Sequence, residues 1–318
     1  MKVALVHDWL NQSGGAEDVL AVLVKMFPQA PIYTSIYSPD SVSAEFRERD
    51  IRVSWVDRLP SVHRQHQPYF IVFPFAFRGF DFSGYDLILS NKSGFCHGIR
   101  KPTGAKHICY CLTPTRYVWD LDNYLKRERF HPALHTLIGP FVHWLQRWDR
   151  GAADEVDYFV SISSAVQRRI KRFYGRDSDI IYPPVDTGRF RPNSQKGEYF
   201  LVVSRLIPYN RIDLAVQACT RLGLRLIVAG TGRDRPRLEA LSGQTDEFDG
   251  RVPDSDLPEL MERCRAFVFP GREDFGIAPV QAMAAGRPVI AYAAGGALVY
   301  VRYGVSGILF EDQSVNAL

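Results

Sequence analysis

No stretch of this 318-residue chain approaches 18 consecutive apolar residues, so no segment reads as a membrane-spanning helix. The opening MKVALVHDWL has too short an apolar run for a signal peptide and reads as a first strand. Cysteine is scarce and odd in number: Cys96, Cys109, Cys111, Cys219 and Cys264. Cys109 and Cys111 are two apart, so they face one side of a strand and are badly placed to bond each other. All five read as reduced core residues of a cytoplasmic protein. No cluster of His and Cys has metal-ligand spacing. Neither charge sign dominates. A net charge of +4 and a pI near 8.7 fit an anionic ligand or an anionic membrane surface and do not indicate nucleic acid. A GxGxxG fingerprint is also missing, which weakens a dinucleotide-oxidoreductase reading.

What is present is ordinary globular composition, 46% apolar and 23% charged, at a length that predicts two domains. Residues 266–296, AFVFPGREDFGIAPVQAMAAGRPVIAYAAGG, read as strand, loop, helix, turn, strand. The apolar run 266–269 ends at Pro270-Gly271 and suits a buried parallel strand. Pro279 is tolerated in the first turn of a helix over 278–285, and Gly286 suits its C-cap. Ligands of open α/β sheets bind at the carboxyl ends of the strands. The loop therefore places Glu273 and the amides of Gly276, Ile277 and Ala278 at a ligand edge. Helix-start amides attract an anion, and a carboxylate grips sugar hydroxyls. Gln281 follows one turn into the helix. The same pattern also fits a plain βαβ unit with a solvated acidic loop.

The N-terminal end repeats this grammar: strand 2–6, then His7-Asp8-Trp9-Leu10, the glycine turn Gly14-Gly15, and a helix through Met26. Strands are expected at 32–36, 51–55, 85–90, 106–111 and 158–161. The aromatic and basic segment 63–82, with Arg64, His66, Phe73 and Phe77, reads as a helix packed on the sheet, or as a lipid contact. Thr113, Arg116 and Trp119 follow a strand end at the ligand edge. Asp120-Leu121-Asp122 has the DxD spacing of a metal–nucleotide site, but no second carboxylate cluster accompanies it. A long amphipathic helix is expected at 131–151. Ser163 or Ser164 caps a basic helix whose Arg168, Arg169, Lys171 and Arg172 face solvent or anionic headgroups. A Pro-rich linker leads into strands at 199–204, 224–229, around Phe248, 289–292 and 308–310, with helices at 211–222 and 256–265. These boundaries give an N-terminal domain of 1–182, a linker of 183–196 and a C-terminal domain of 197–318, facing each other across a cleft.

HDWLNQSGGAEDVL, YCLTPTRYVWD, IIYPPVDTGRFRP, VVSRLIPYNRIDLAVQA and FPGREDFGIAPVQAMAAGRPVIAY together resemble the retaining GT-B-fold glycosyltransferases of family 4, notably bacterial mannosyltransferases of cell-envelope glycan synthesis. The resemblance runs from Val6 to Phe310. It implies two facing Rossmann-like domains, the first taking the acceptor and the second the nucleotide sugar. The implied reaction moves a hexose, mannose from GDP-mannose, to a lipid-linked or polysaccharide acceptor. It needs no metal or cofactor and takes place at the inner face of the plasma membrane. Arg205 matches the arginine on the donor diphosphate and Glu273 the carboxylate on the transferred sugar. Gly276, Ile277 and Ala278 supply amides, and Gly14 and Gly15 match the glycine turn at the diphosphate. Asp8, Thr113, Arg116 and Trp119 fall on the acceptor side. The family also carries a C-terminal helix that crosses back onto the first domain, so a chain ending at Leu318 is expected to be a fragment lacking it.

Four positions depart from the family pattern. Asn210 stands where a lysine is usual, Gln281 in place of the second carboxylate, Leu112 in place of a histidine, and Val299 in place of a glutamate. Arg211 is the nearest substitute for the missing cation. The departures leave two alternatives: a weakened or inactive relative kept as a binding or partner protein, and another nucleotide-sugar enzyme of this fold.

Overall fold

The structure, a computed structural model, describes residues 1–63, 69–121, 133–192, 195 and 197–318, the side chains of 133–137 excepted. The chain divides into two compact units, Met1–Pro184 and Val185–Leu318.

Unit 1 holds a seven-stranded sheet ordered β3-β2-β1-β4-β5-β6-β7. Its strands are β1 Val3–His7, β2 Ile32–Thr34, β3 Ile51–Val53, β4 Leu87–Lys92, β5 Lys106–Cys111, β6 Tyr158–Ser161 and β7 Ser178–Ile180. Every pairing is parallel. Runs such as VALVH, buried at all five positions, are what a parallel strand covered on both faces requires. β3 ends earlier than its apolar pattern extends. The Ser54 hydroxyl accepts from Val56 N at 3.1 Å and turns residues 55–58 into a 3₁₀ turn.

The helices of this unit that matter here are α1 Gly15–Met26, α2 Phe73–Arg78, α3 Arg116–Trp119, α4 Ala133–Asp154 and α5 Ser164–Tyr174. Ser163 is the residue that caps α5, its hydroxyl accepting from Val166 N at 3.3 Å. The lipid-contact reading of the aromatic segment is not what the geometry favours for its rings. Phe73, Phe77 and Phe82 are buried in the core with Ala4, Val6 and Ile88; Phe73 and Phe77, four apart, share one face of α2. Phe75 and Ile71 remain exposed, and Arg64 and His66 lie outside the described residues.

Unit 2 holds a six-stranded sheet ordered β10-β9-β8-β11-β12-β13, again parallel throughout. Its strands are β8 Tyr199–Val203, β9 Leu226–Ala229, β10 Asp246–Gly250, β11 Cys264–Phe269, β12 Val289–Tyr292 and β13 Gly307–Phe310. The helices that matter here are α6 Ile212–Leu222, α7 Leu257–Glu262, α8 Ile277–Ala284 and α9 Ala297–Tyr300. Phe190, from the Pro-rich segment, is buried in this unit's core with Leu201, Phe267 and Val289. Arg287, itself buried, donates to the carbonyls of Glu262 and Gln195 and so ties that segment to α7.

In both sheets the unit's first strand lies third from one edge, and the strand order reverses direction beside it, between β1 and β4 and between β8 and β11. Ligands of doubly wound sheets bind at the carboxyl ends of strands at such a reversal.

Candidate functional site

At the reversal in unit 2, the loops after β8 and β11 meet. Gly271 lies directly on the backbone of Asn210: a Cβ there would stand 2.9 Å from the Asn210 carbonyl and 3.0 Å from its Cα. Gly276 has φ +88°, a conformation open to glycine, and a Cβ there would meet the Phe269 ring at 2.7 Å. These two glycines let the segment bearing Glu273 fold onto the sheet edge and enter α8. Glu273 is half-buried, and its carbonyl accepts from Gly296 N at 2.9 Å. Tyr300 Oη bonds the Phe275 carbonyl at 2.8 Å. Burial and the Glu273 charge push the Tyr300 hydroxyl well above its ordinary pKa.

The pocket so formed is lined by Ser204, Asn210, Gly271 and Glu273 over a floor that includes Val202, Val268 and Phe269. Ile277 and Ala278 occupy the first turn of α8, where amides have no intrahelical partner. Gln281 is half-buried on the next turn. Arg205 is exposed and donates to Tyr209 Oη at 3.2 Å, so its guanidinium stands at the mouth of the same loop. Val299 is on α9.

Arg211 is not an unattached substitute for a missing cation. It sits at φ +52°, and its guanidinium pairs with Asp213 at 3.2 Å. Asn210, which the sequence reading treats only as a lost charge, has a definite task. It is buried, and its amide nitrogen holds Ser204 Oγ at 2.7 Å and the Arg205 carbonyl at 2.9 Å. The preceding loop is therefore built around a neutral side chain.

Unit 1 has its own reversal, above β1 and β4. Gly14 and Gly15 are exposed there at the start of α1. Beside them Glu17 is buried, with Oε1 3.4 Å from His7 Nε2. Asn91 Nδ2 donates to the Ala16 carbonyl at 2.8 Å and faces His7 Nδ1 at 3.3 Å. The glycine turn thus lies beside a buried His7–Glu17 pair, a neighbourhood that one-dimensional spacing does not carry.

Asp8 must be removed from the acceptor-contacting set. It is fully buried. Its Oδ2 accepts from Ser93 N and Gly94 N, each at 2.6 Å, and its Oδ1 from Phe95 N at 2.7 Å and Cys96 N at 2.8 Å. The carboxylate is a clamp on the loop after β4, with no face left for a ligand.

The remaining acceptor-side residues lie on one segment that is anchored from beneath. Lys92, fully buried at the end of β4, donates through Nζ to Thr115 Oγ1 at 3.2 Å. Its carbonyl takes Leu112 N at 2.8 Å. Thr113 Oγ1 accepts from Arg169 Nη1 at 2.8 Å, which turns one cation of the basic helix inward rather than towards headgroups. Trp119 donates its indole N–H to Asp149 Oδ2 at 2.6 Å and stacks on Phe173 at 4.9 Å. Tyr174 donates to the same oxygen at 2.6 Å. Arg116, half-buried, opens α3.

Burial pulls the Lys92 pKa down, but the charges of Asp149 and its neighbours outweigh it and leave the ammonium raised. Burial raises Asp149 and holds His97, next to Lys92, well below its ordinary value. Lys92 and Asp149 are invisible to motif reading, because a lysine ending a strand and an aspartate on an amphipathic helix both look solvent-facing. Asp122 of the DxD lies outside the described residues. Among the described residues no group of three or more His, Cys, Asp or Glu could hold a metal ion, and no helix is long and apolar enough to cross a membrane.

Comparison with known proteins bears on the family and the fold. The profile "Glycosyltransferase Family 4" covers residues 13–189, more than half of the chain, and "Glycosyl transferases group 1" covers 186–318. Human alpha-1,3/1,6-mannosyltransferase ALG2 is 26% identical over 95% of this chain and 82% of its own length. D-inositol 3-phosphate glycosyltransferase of Mycobacterium tuberculosis (strain F11) is 30% identical, over 53% of this chain and 40% of that protein. Among solved structures, Anabaena Alr3699/HepE in complex with UDP superposes with a TM-score of 0.69 at 20% identity, over 100% of this chain and 87% of that one. Sucrose-phosphate synthase of Thermosynechococcus elongatus does so with a TM-score of 0.73 at 16% identity, over 100% and 88%. At such identities the structures speak for the fold, two parallel-sheet α/β units of GT-B type. The chain belongs to glycosyltransferase family 4, its second half being that of a group 1 glycosyl transferase.

Proposed function

We propose that this chain transfers a hexose, mannose from GDP-mannose, to a lipid-linked or polysaccharide acceptor with retention of anomeric configuration. The observation that carries the reading is the likeness to a mannosyltransferase over 95% of the chain, joined to a pocket that sets Glu273 beside the first-turn amides of α8. UDP in the Anabaena neighbour keeps a uridine donor as the competing base.

Cleaving the sugar–phosphate bond builds negative charge on the diphosphate. Fixed donors stabilise that charge more than they stabilise the ground state. In this reading Arg205 takes the outer phosphate and the amides of Gly276, Ile277 and Ala278 the oxygens nearer the sugar. Glu273 orients the ring through its hydroxyls, and Gln281 accepts from or donates to the ribose. The acceptor meets the segment carrying Thr113, Arg116 and Trp119. No metal is assigned a role, and a membrane surface enters only as the place where a lipid-linked acceptor resides. Titration calorimetry with GDP-mannose and UDP-glucose tests the reading: one of them binds in the micromolar range, and no heat with either refutes it.

A second reading, binding without efficient transfer, is favoured by the neutral Asn210 and by Arg211 being engaged with Asp213. Donor binding with no turnover, and turnover created by Asn210→Lys with Leu112→His, would establish it.

A further inference from the structure

The loop that carries Glu273 is held from behind by the turn after β12. Gly296 N donates to the Glu273 carbonyl at 2.9 Å, and Tyr300 Oη donates to the Phe275 carbonyl at 2.8 Å. The two segments touch along their length. A Cβ at Gly295 would fall on the Glu273 carbonyl, and one at Gly296 on the Phe275 carbonyl. The Tyr300 ring meets the buried Phe275 ring edge-on, with 5.5 Å between centroids, and packs against the core of unit 2. Its hydroxyl lies beside Gly276, where a Cβ would stand 2.9 Å from it.

The effect of that hydroxyl follows from peptide geometry. In a planar trans peptide the carbonyl and the N–H point in opposite directions. The Phe275 carbonyl and the Gly276 N–H belong to one such unit, which is trans. Holding the carbonyl against Tyr300 therefore turns the Gly276 N–H away from α9. Gly276 is the N-cap of α8 and is half-buried, and the N–H of an N-cap has no intrahelical partner. Glycine, here at φ +88°, does least to fix the plane of its own peptide, so the orientation depends on the Tyr300 bond. Burial and the Glu273 charge keep the hydroxyl protonated well above its ordinary range, so it stays a donor at neutral pH.

We propose that Tyr300 is a positioning residue of the donor site: its hydroxyl holds the Phe275 carbonyl so that the Gly276 N–H meets the diphosphate oxygens next to the sugar. The inference rests on the nucleotide-sugar reading above, and its test separates the two.

Phe-Gly occurs once in the chain, at 275–276. Phenylalanine labelled with ¹³C at its carbonyl and glycine labelled with ¹⁵N therefore give a single carbonyl-correlated amide resonance, that of Gly276. The full chain is titrated with GMP and GDP, and with UMP and UDP, by calorimetry and by this resonance. The diphosphate that binds moves the Gly276 proton downfield, and its monophosphate does not. Tyr300→Phe keeps the ring and removes the hydroxyl. In that variant the affinity advantage of diphosphate over monophosphate shrinks roughly tenfold, the worth of one hydrogen bond to a charged group. Monophosphate affinity stays within about twofold, and the downfield shift is lost. A Tyr300 that only supported the fold would weaken both nucleotides alike, or neither. If Tyr300→Phe does not fold, p-aminophenylalanine at position 300 takes its place; its amine is a weaker donor on the same ring, and the advantage and the shift fall part of the way. The proposal is overturned if the diphosphate binds without moving Gly276, if the folded variant keeps the full advantage and shift, or if it loses monophosphate affinity to the same degree. The nucleotide-sugar reading survives each of those results. Absence of all binding ends both.

Discussion

Replacing Asp8 by asparagine separates a clamp from a ligand contact. The carboxylate receives two backbone N–H groups on each oxygen, at 2.6–2.8 Å, lengths of charge-assisted bonds. Asparagine turns one oxygen into an NH₂ group, so two buried N–H donors then face a donor. Each buried donor left unpaired costs about 1–3 kcal/mol, which sets the expected loss at roughly 2–6 kcal/mol. A domain stable by about 5–15 kcal/mol keeps its fold at the low end of that loss and nears unfolding at the high end. All five tryptophans, Trp9, Trp55, Trp119, Trp144 and Trp148, lie in unit 1. Tryptophan fluorescence in urea therefore follows that unit alone, which matters because a two-unit chain need not unfold in one step. With a slope of about 2 kcal/mol/M, the fluorescence midpoint should fall by roughly 1–3 M. Asp8→Ala, which strands all four amides, should not yield a folded unit 1. A midpoint shift below about 0.5 M for Asp8→Asn, together with weakened binding of a glycan acceptor, would refute the clamp and return Asp8 to the acceptor site.

Four further outcomes are expected. Arg205→Ala lowers turnover by roughly 10²–10³-fold with an unchanged melting temperature, because its side chain is exposed and donates to Tyr209 Oη at the surface; unaltered kcat would remove Arg205 from the leaving-group role. Transfer proceeds in excess EDTA, and restoration of lost activity by Mg²⁺ or Mn²⁺ would contradict the assignment of the charge to Arg205 and amides. Burial, with the Lys101 charge next, lowers His107 to about 3. The folded chain thus binds fewer protons than the unfolded chain between about 3 and the ordinary 6.5, so unit 1 loses stability as pH falls through that window; a urea midpoint constant from pH 7 to 4.5 would disprove this, and His107→Gln should flatten the slope. Finally, all five thiols are buried, and burial pushes Cys219 and Cys264 up to about 12. A colorimetric disulfide reagent should therefore find none in the native chain and five after denaturation.

The fold was largely legible because a strand covered on both faces has no choice of composition. Runs such as 226–229 and 289–292 are apolar throughout and form β9 and β12. Boundaries failed where a side chain, and not periodicity, ends the element, as at Ser54. The site was legible only where its chemistry follows the chain locally: Glu273 with the α8 amides are neighbours in sequence. Asp8 clamps residues 93–96, Lys92 holds Thr115, and Asp149 holds Trp119. These pairs are far apart in the chain, and a carboxylate after a strand looks the same whether it faces a ligand or a loop. Asn210 misleads for a related reason. Compared with a lysine it is an absence, whereas its amide nitrogen shows what it holds.

The placement of β1 inside its sheet has a consequence for how the chain is made. β1 pairs with β2 on one side, but on the other side with β4, residue for residue from Val3↔Leu87 to His7↔Asn91. A ribosome adds about 5–20 residues per second. The five buried residues of β1 therefore wait roughly 4–17 s after synthesis before their second neighbour exists. During that interval an apolar strand with one unpaired edge is open to pairing with another nascent chain. Slow codons ahead of β4 should lower the soluble yield, and a chaperone that shields the N-terminal segment should restore it.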